Sequence, residues 1–132
     1  MYYLDTNIIS YALKGSFPAV EQHFRRVPAP SIVIPSIVLA ELEYGARKSA
    51  NYDKTISEIR KFTDVFQTAP FSAAEAKAYG EIRASVERAG TPIGPNDLIV
   101  AATCKANNGI LVTHNVSEFS RVPGLLIEDW TV

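Results

Sequence analysis

Four acidic residues in this chain stand where solvation alone does not account for them. Asp5 directly follows the apolar run Tyr2–Leu4. An Asp there is a good helix N-cap, but Thr6 or Asn7 would cap equally well. Glu41 has Ile37, Val38, Tyr44 and Gly45 at i−4, i−3, i+3 and i+4. These neighbours are apolar or small, so the spacing predicts that Glu41 sits in a stripe facing the interior, with Glu43 about 200° further round the helix. Asp97 shares a face with Gly94, Val100, Ala101 and Cys104. A first-turn acid complements the helix dipole, which explains its position but not its apolar company. The fourth acid, Glu118, lies in Thr113-His114-Asn115-Val116-Ser117-Glu118-Phe119 beyond another apolar run, where Asn115 and Glu118 can both point into a crevice. An ion on a buried stripe needs a partner or a metal. Two carboxylates about 5 Å apart repel by about 3 kcal/mol at an effective dielectric near 20. Such a cluster therefore either keeps protons on carboxyls of raised pKa or binds a cation. Its donors are all oxygens, which suits Mg²⁺ or Mn²⁺ better than Zn²⁺.

These acids need a scaffold that brings distant segments together. Tyr2–Leu4, Ser31–Ile34, Ala69–Phe71, Ile110–Val112 and Leu125–Ile127 read as short strands. Between them the patterning predicts helices at Ile8–Lys14, stopped by Gly15 and Pro18, and at Ala19–Arg26. A third starts at Ser36 as its cap and runs to about Ala50, and a fourth spans Lys54–Phe66 with Ile56, Ile59, Phe62 and Phe66 on one stripe. Ser72-Ala73-Ala74-Glu75 is a capping box opening a helix that ends at Gly90. Pro95-Asn96-Asp97 opens an unusually apolar helix, Leu98–Ala106, of the kind buried against a sheet. Asn108-Gly109 is a turn. Strands alternating with helices indicate an α/β fold with a parallel sheet, in which ligands bind beyond the carboxyl ends of the strands. Each acid in question follows a strand or opens a helix on that edge.

Composition removes several alternatives. The chain has 132 residues, 47% of them hydrophobic and 20% charged, which is ordinary globular material for one domain spanning 1–132. A single cysteine, Cys104, excludes a disulfide framework and a cysteine-based zinc site. Thirteen Lys+Arg against 14 Asp+Glu leave a net charge of −1, so any nucleic acid must meet a local basic rim and not a global field. No apolar run approaches the roughly 18 residues of a membrane span, and Asp5 interrupts any signal-like N-terminal run. The expectation is a soluble, reduced, cytoplasmic domain. Gly-rich phosphate loops are absent. No hydroxyl near the acids has a paired histidine base, so water, not a covalent nucleophile, is the expected attacking group.

Taken together, Asp5-Thr6-Asn7, Ala40-Glu41-Leu42, Asn96-Asp97-Leu98-Ile99-Val100-Ala101-Ala102 and Thr113-His114-Asn115 with Glu118-Phe119 resemble the PIN domain. More closely, the chain resembles a VapC-type toxin ribonuclease of a VapBC toxin–antitoxin pair, through Glu41-Leu42-Glu43-Tyr44-Gly45-Ala46-Arg47-Lys48-Ser49, Gly94-Pro95-Asn96-Asp97, Ser117 to Leu125 and Glu128-Asp129-Trp130. The resemblance covers essentially the whole chain. It implies a three-layer α/β/α domain around a parallel sheet of four to five short strands. Asp5, Glu41 and Asp97 would be the main catalytic acids, with Mg²⁺ (or Mn²⁺) on Asp5 and Asp97. Glu118 stands where the wider family often has Asp. Thr6 and Thr113 would support the site, and Asn7 and Asn115 would line it; His114 has no evident role and reads as a surface histidine. The implied reaction is metal-assisted phosphodiester hydrolysis of structured RNA, most often a tRNA anticodon loop, with initiator tRNA as this subgroup's target. Lys14, Arg25, Arg26, Arg47, Lys48 and Arg121 are the candidates for the RNA-binding rim. The resemblance further implies a DNA-binding VapB-type antitoxin that occludes the acidic pocket, and toxin dimers within larger hetero-oligomers. Two rivals fit less well. A receiver-type phosphoacceptor needs paired acids after its first strand and a Lys after its fifth, and both are missing here. A catalytically silent PIN-like binding module predicts lost acids, and none of the main three is lost.

Overall fold

The strands are short apolar segments that pair only side by side. The computed structural model describes residues 1–132 and contains β1 (Tyr2–Leu4), β2 (Ile32–Pro35), β3 (Gln67–Ala69), β4 (Ile110–Val112) and β5 (Leu126–Glu128). They form one parallel sheet in the order β3-β2-β1-β4-β5. Tyr2 pairs with Ile32 on one side and Ile110 on the other, so β1 and its successor Asp5 occupy the middle of the sheet. Leu4, Ile32, Leu111 and Val112 are fully buried, as expected for central strands covered on both faces.

The connections are helical. They are α1 (Thr6–Lys14), α2 (Pro18–Arg26), α3 (Ser36–Lys48), α4 (Tyr52–Thr63), α5 (Ala73–Arg88), α6 (Pro95–Ala106) and the single turn α7 (Val116–Phe119). From β1 the chain steps outward through β2 to β3, then returns past β1 to β4 and β5. Right-handed crossovers therefore put α1–α4 on one face and α5–α7 on the other, which gives the three-layer α/β/α architecture. The strand order reverses beside β1, and that switch point is where a parallel sheet opens a crevice for ligands.

Local sequence explains most boundaries. Gly15 takes φ 65° to end α1, and Gly90 takes φ 72° just after α5. Asn108 adopts φ 53° in the turn before β4, a conformation Asn tolerates better than most. At the neighbouring Gly109 a Cβ would overlap Tyr3 ring carbons. The Glu75 carboxylate accepts from the Ser72 amide at 2.8 Å, the return half of the capping box. Several boundaries differ from the sequence reading; α4, for example, spans Tyr52–Thr63 and not Lys54–Phe66. Ser36 is the first helical residue of α3 and Pro35 takes the cap position without a side-chain bond. β3 lies at Gln67–Ala69, two residues earlier than Ala69–Phe71, because its register is set by β2 and not by its own weak apolarity. β5 is shifted by one residue, and the turn α7 and a 3-10 turn at Ala29–Ser31 carry no periodicity long enough to read. Trp130 closes the far side of the core: it is fully buried, stacks on His23 with centroids 5.0 Å apart and meets Phe24 edge-on at 5.2 Å. No helix is long and apolar enough to cross a membrane.

Candidate active site

Asp5 is held where β1 becomes α1. Its backbone N–H donates to Val112 of β4 at 3.2 Å, continuing the sheet by one residue. Its carboxylate is the α1 cap: Oδ1 accepts from the Ile8 amide at 3.0 Å and Oδ2 from the Thr113 hydroxyl at 2.5 Å. Thr113 Oγ1 in turn accepts from the Asn115 amide at 3.0 Å. Asp5 and Thr113 are both buried. Burial pushes the Asp5 carboxyl above its ordinary range, against the lowering effect of the Thr113 and Ile8 donors, and the charges of Glu41 and Asp129 add to the rise. Asp5 thus serves as a cap and as a charge in the crevice at once.

Glu41 reaches the same crevice from α3. Its Oε1 accepts from the Thr6 hydroxyl at 2.7 Å, and its Oε2 from Asn96 Nδ2 at 3.4 Å, so it bridges the starts of α1 and α6. The interior stripe predicted around Glu41 is not the one observed. The buried residues of α3 are Val38, Leu42 and Ala46, whereas Tyr44 is 63% exposed and Gly45 is exposed too. Glu41 is half-buried at the border of that stripe. Glu43, though spaced four residues before Arg47 as a surface ion pair would need, does not pair with it. It accepts from the Tyr52 hydroxyl and lies 3.7 Å from Arg60, while Arg47 sits over the Tyr52 ring at 3.8 Å.

Asp97 stands in the first turn of α6, above the fully buried Val100, Ala101 and Cys104. Burial, then the charge of Glu118, then those of Glu41 and Asp5 push its carboxyl from 3.8 up to about 7. Asp97 Oδ2 and Glu118 Oε1 both approach Gly94. Glu118, on α7, goes the other way: its Oε1 accepts from the Gly94 amide at 2.8 Å and its Oε2 from Asn115 Nδ2 at 2.7 Å, and these donors, with Arg121 nearby, hold it below its ordinary range. Divergent acidities in one crevice are a common mark of a working site.

Asp97 therefore feels the charges of all three other acids, and Asp5 that of Glu41, although no three of them already form a ready ligand set for an ion. Asp97 is the one facing mainly other carboxylates. The donor set is oxygen only, and the nearest cysteine, Cys104, is buried in the core behind α6. That chemistry fits a hard divalent cation, whose binding would relieve the repulsion that now raises Asp97.

The remaining residues sort by place. Asn115 bonds Glu118, whereas Asn7 is exposed on the first turn of α1. Lys14 and Lys48 line grooves that also contain Thr6 and Glu41. Arg121 donates to the Pro92 carbonyl at 2.9 Å beside Glu118. Arg25 is taken up by Glu21 at 2.6 Å, and Arg26 is exposed at the end of α2. Two features were missed in the sequence. Asn96 is a direct partner of Glu41. His114 is the surface histidine expected, and what was missed is its partner: its Nδ1 lies 3.0 Å from Asp129 Oδ2, and Asp129 is the acid whose charge reaches Asp5. Only the pairing of β5 beside β4 brings them together, and no local spacing signals it.

Comparison with known proteins gives the family. The family model for the PIN domain matches residues 2–125, and the chain belongs to that family. It is 39% identical over 131 residues to "Ribonuclease VapC2" of Rickettsia felis, covering 98% of both chains. It is 36% identical to the "tRNA(fMet)-specific endonuclease VapC" of Shigella flexneri, again over 98% of both. A crystal structure of DNA-bound VapBC from Salmonella typhimurium matches with a TM-score of 0.92 at 33% identity, over 98% of this chain and 97% of that one. Within the family the chain is a nuclease of the VapC group, a hydrolase.

Proposed function

We propose that this protein is a Mg²⁺-dependent endoribonuclease toxin that cuts structured RNA, with an anticodon loop, that of initiator tRNA first, as the target, and so inhibits translation in the cytoplasm. The carrying observation is the crevice in which Asp97 is raised to about 7 by burial and three other carboxylates. Asp5 and Asp97 are the residues to hold the ion. When bound, the ion would neutralise charge on a phosphate oxygen and lower the pKa of the attacking water. The chain's own groups do the rest. Thr113 and the Ile8 amide fix the Asp5 carboxylate, and Thr6 and Asn96 fix Glu41. Glu118, kept ionised by Gly94 and Asn115, and Glu41 are the carboxylates able to orient a water. The tRNA reading is supported by the name of the Shigella flexneri relative, a tRNA(fMet)-specific endonuclease, and the partner by complexes such as the Salmonella VapBC assembly. The partner would be a DNA-binding VapB-type antitoxin that covers the acidic crevice of a toxin dimer.

The test is incubation of the purified chain with total RNA, with and without Mg²⁺, beside Asp97→Asn. Discrete fragments from the parent chain only, and only with the ion, are expected. Identical cleavage by Asp97→Asn would overturn the mechanism, and fragments mapping away from tRNA would overturn the substrate.

A further inference from the structure

The acidic crevice continues along α3 into an open groove of about 450 Å³, within the size range of small-molecule sites. Thr6, Glu41 and Asn96 line it together with Tyr44, Gly45 and Lys48. Glu41, Tyr44 and Lys48 stand at i, i+3 and i+7 of one helix, so they share a face. At 1.5 Å per residue, Tyr44 lies about 5 Å and Lys48 about 10 Å along the axis from Glu41. Tyr44 is the most exposed aromatic ring in the chain, at 63%. The Lys48 ammonium lies 5.0 Å from the centre of that ring, a cation–π contact on an otherwise exposed side chain. Gly45 adds no side chain to the groove wall, and a Cβ there would meet nothing within 4 Å.

We propose that Tyr44 is a nucleobase platform: the base next to the cleaved phosphate stacks on its ring, and Lys48 receives the following phosphate. The proposal rests on the nuclease reading above and names where its RNA chain runs. An aromatic face beside a lone cation, continuous with carboxylates suited to a metal-bound phosphate, matches how single strands are held: stacking for the base, positive charge for the backbone. Ile37 and Ala40 also line the groove, but the Lys48 ammonium beside the Tyr44 ring favours a polyanionic strand as its occupant. Stacking of this kind tolerates any base, so it contributes affinity and register, not the choice of sequence.

The test uses the full chain carrying Asp97→Asn, so that RNA is bound and not cut. The probes are single-stranded RNA hexamers with one 2-aminopurine placed at each position in turn. One position should show quenching on binding. Adding Tyr44→Ala or Tyr44→Leu should weaken binding about 5- to 100-fold and abolish that quench, whereas Tyr44→Phe should stay within about twofold. Lys48→Gln should lower the slope of log affinity against log salt by about one. Circular dichroism melting checks that each variant is folded. Unchanged binding and quenching in the alanine and leucine variants would overturn the proposal, as would a parent that quenches at no position. A change in particle mass by light scattering in Tyr44→Ala would also overturn it, by making Tyr44 a contact between copies of the chain. Failure of the nuclease reading is seen separately, as no Mg²⁺-dependent cleavage by the parent chain.

Discussion

Replacing Asp97 by Asn should make the metal-free protein more stable, a trade of activity for stability expected where a site holds repelling charges. Asp97 rises from 3.8 to about 7 because burial and three neighbouring carboxylates disfavour its charge. In a fully shielded site that rise would correspond to roughly 4 kcal/mol. Asp97 is only half-buried, and solvent screening reduces the figure to about 1–2 kcal/mol. The sign follows from proton linkage. Between pH 4 and 7 the folded chain keeps a proton that the unfolded chain releases. Stability therefore falls as pH rises through that window, and the whole penalty is present above pH 7. Asn carries no charge and escapes it. In EDTA at pH 8, Asp97→Asn should melt about 3–8 °C higher than the parent chain, and the gap should close toward pH 5, where Asp97 is already neutral. Mg²⁺ should then raise the parent's melting temperature and leave the variant's nearly unchanged. Differential scanning calorimetry across pH 5–8 reads all of this. A variant that melts no higher than the parent at pH 8, or a gap that does not vary with pH, would refute the claim that these carboxylates repel one another.

Other substitutions test the supports. Thr113→Val removes the hydroxyl donor to the buried Asp5 and should cost about 1–3 kcal/mol, more at pH 8 than at pH 5, because the ionised Asp5 is the form that loses its donor; thermal melting at the two pH values measures it. Glu118→Gln removes a charge facing Asp97, so the Asp97 titration followed by carboxyl ¹³C NMR should move down toward the ordinary range. Gly109→Ala forces a methyl into the Tyr3 ring and should destabilise by about 1–3 kcal/mol, seen as a lower urea midpoint. Asp5→Asn should lower the RNA cleavage rate at least about 100-fold at saturating Mg²⁺, measured on gels with the folded state checked by circular dichroism.

Much of the scaffold was readable because its signals are local. Gly15 and Gly90 stop helices through backbone freedom, and the mostly apolar run Leu98–Ala106 matches the buried Val100, Ala101, Ala102 and Cys104 of α6. What was misread depends on the third dimension. The residues around Glu41 look apolar, yet Tyr44 faces solvent, and the face that α3 buries is that of Val38, Leu42 and Ala46 instead. Apolar character one turn away did not decide which stripe the core would take. Arg47 leaves Glu43 for the Tyr52 ring, since α4 brings both Tyr52 and Arg60 to that spot. Asp129 and His114 lie 15 residues apart in the chain, and only the β4–β5 ladder sets them side by side near Asp5. Acid types and their order along the chain could be read; the donors that hold each carboxylate, such as Asn96 and the Gly94 amide, could not.

The account depends on acids from separate segments serving one divalent ion. Mn²⁺ binding followed by electron paramagnetic resonance, on the parent chain, Asp5→Asn and Asp97→Asn at pH 7.5, tests that directly. The prediction is saturable binding by the parent, weakened at least about tenfold by either substitution. Equal Mn²⁺ affinity in all three proteins would contradict it.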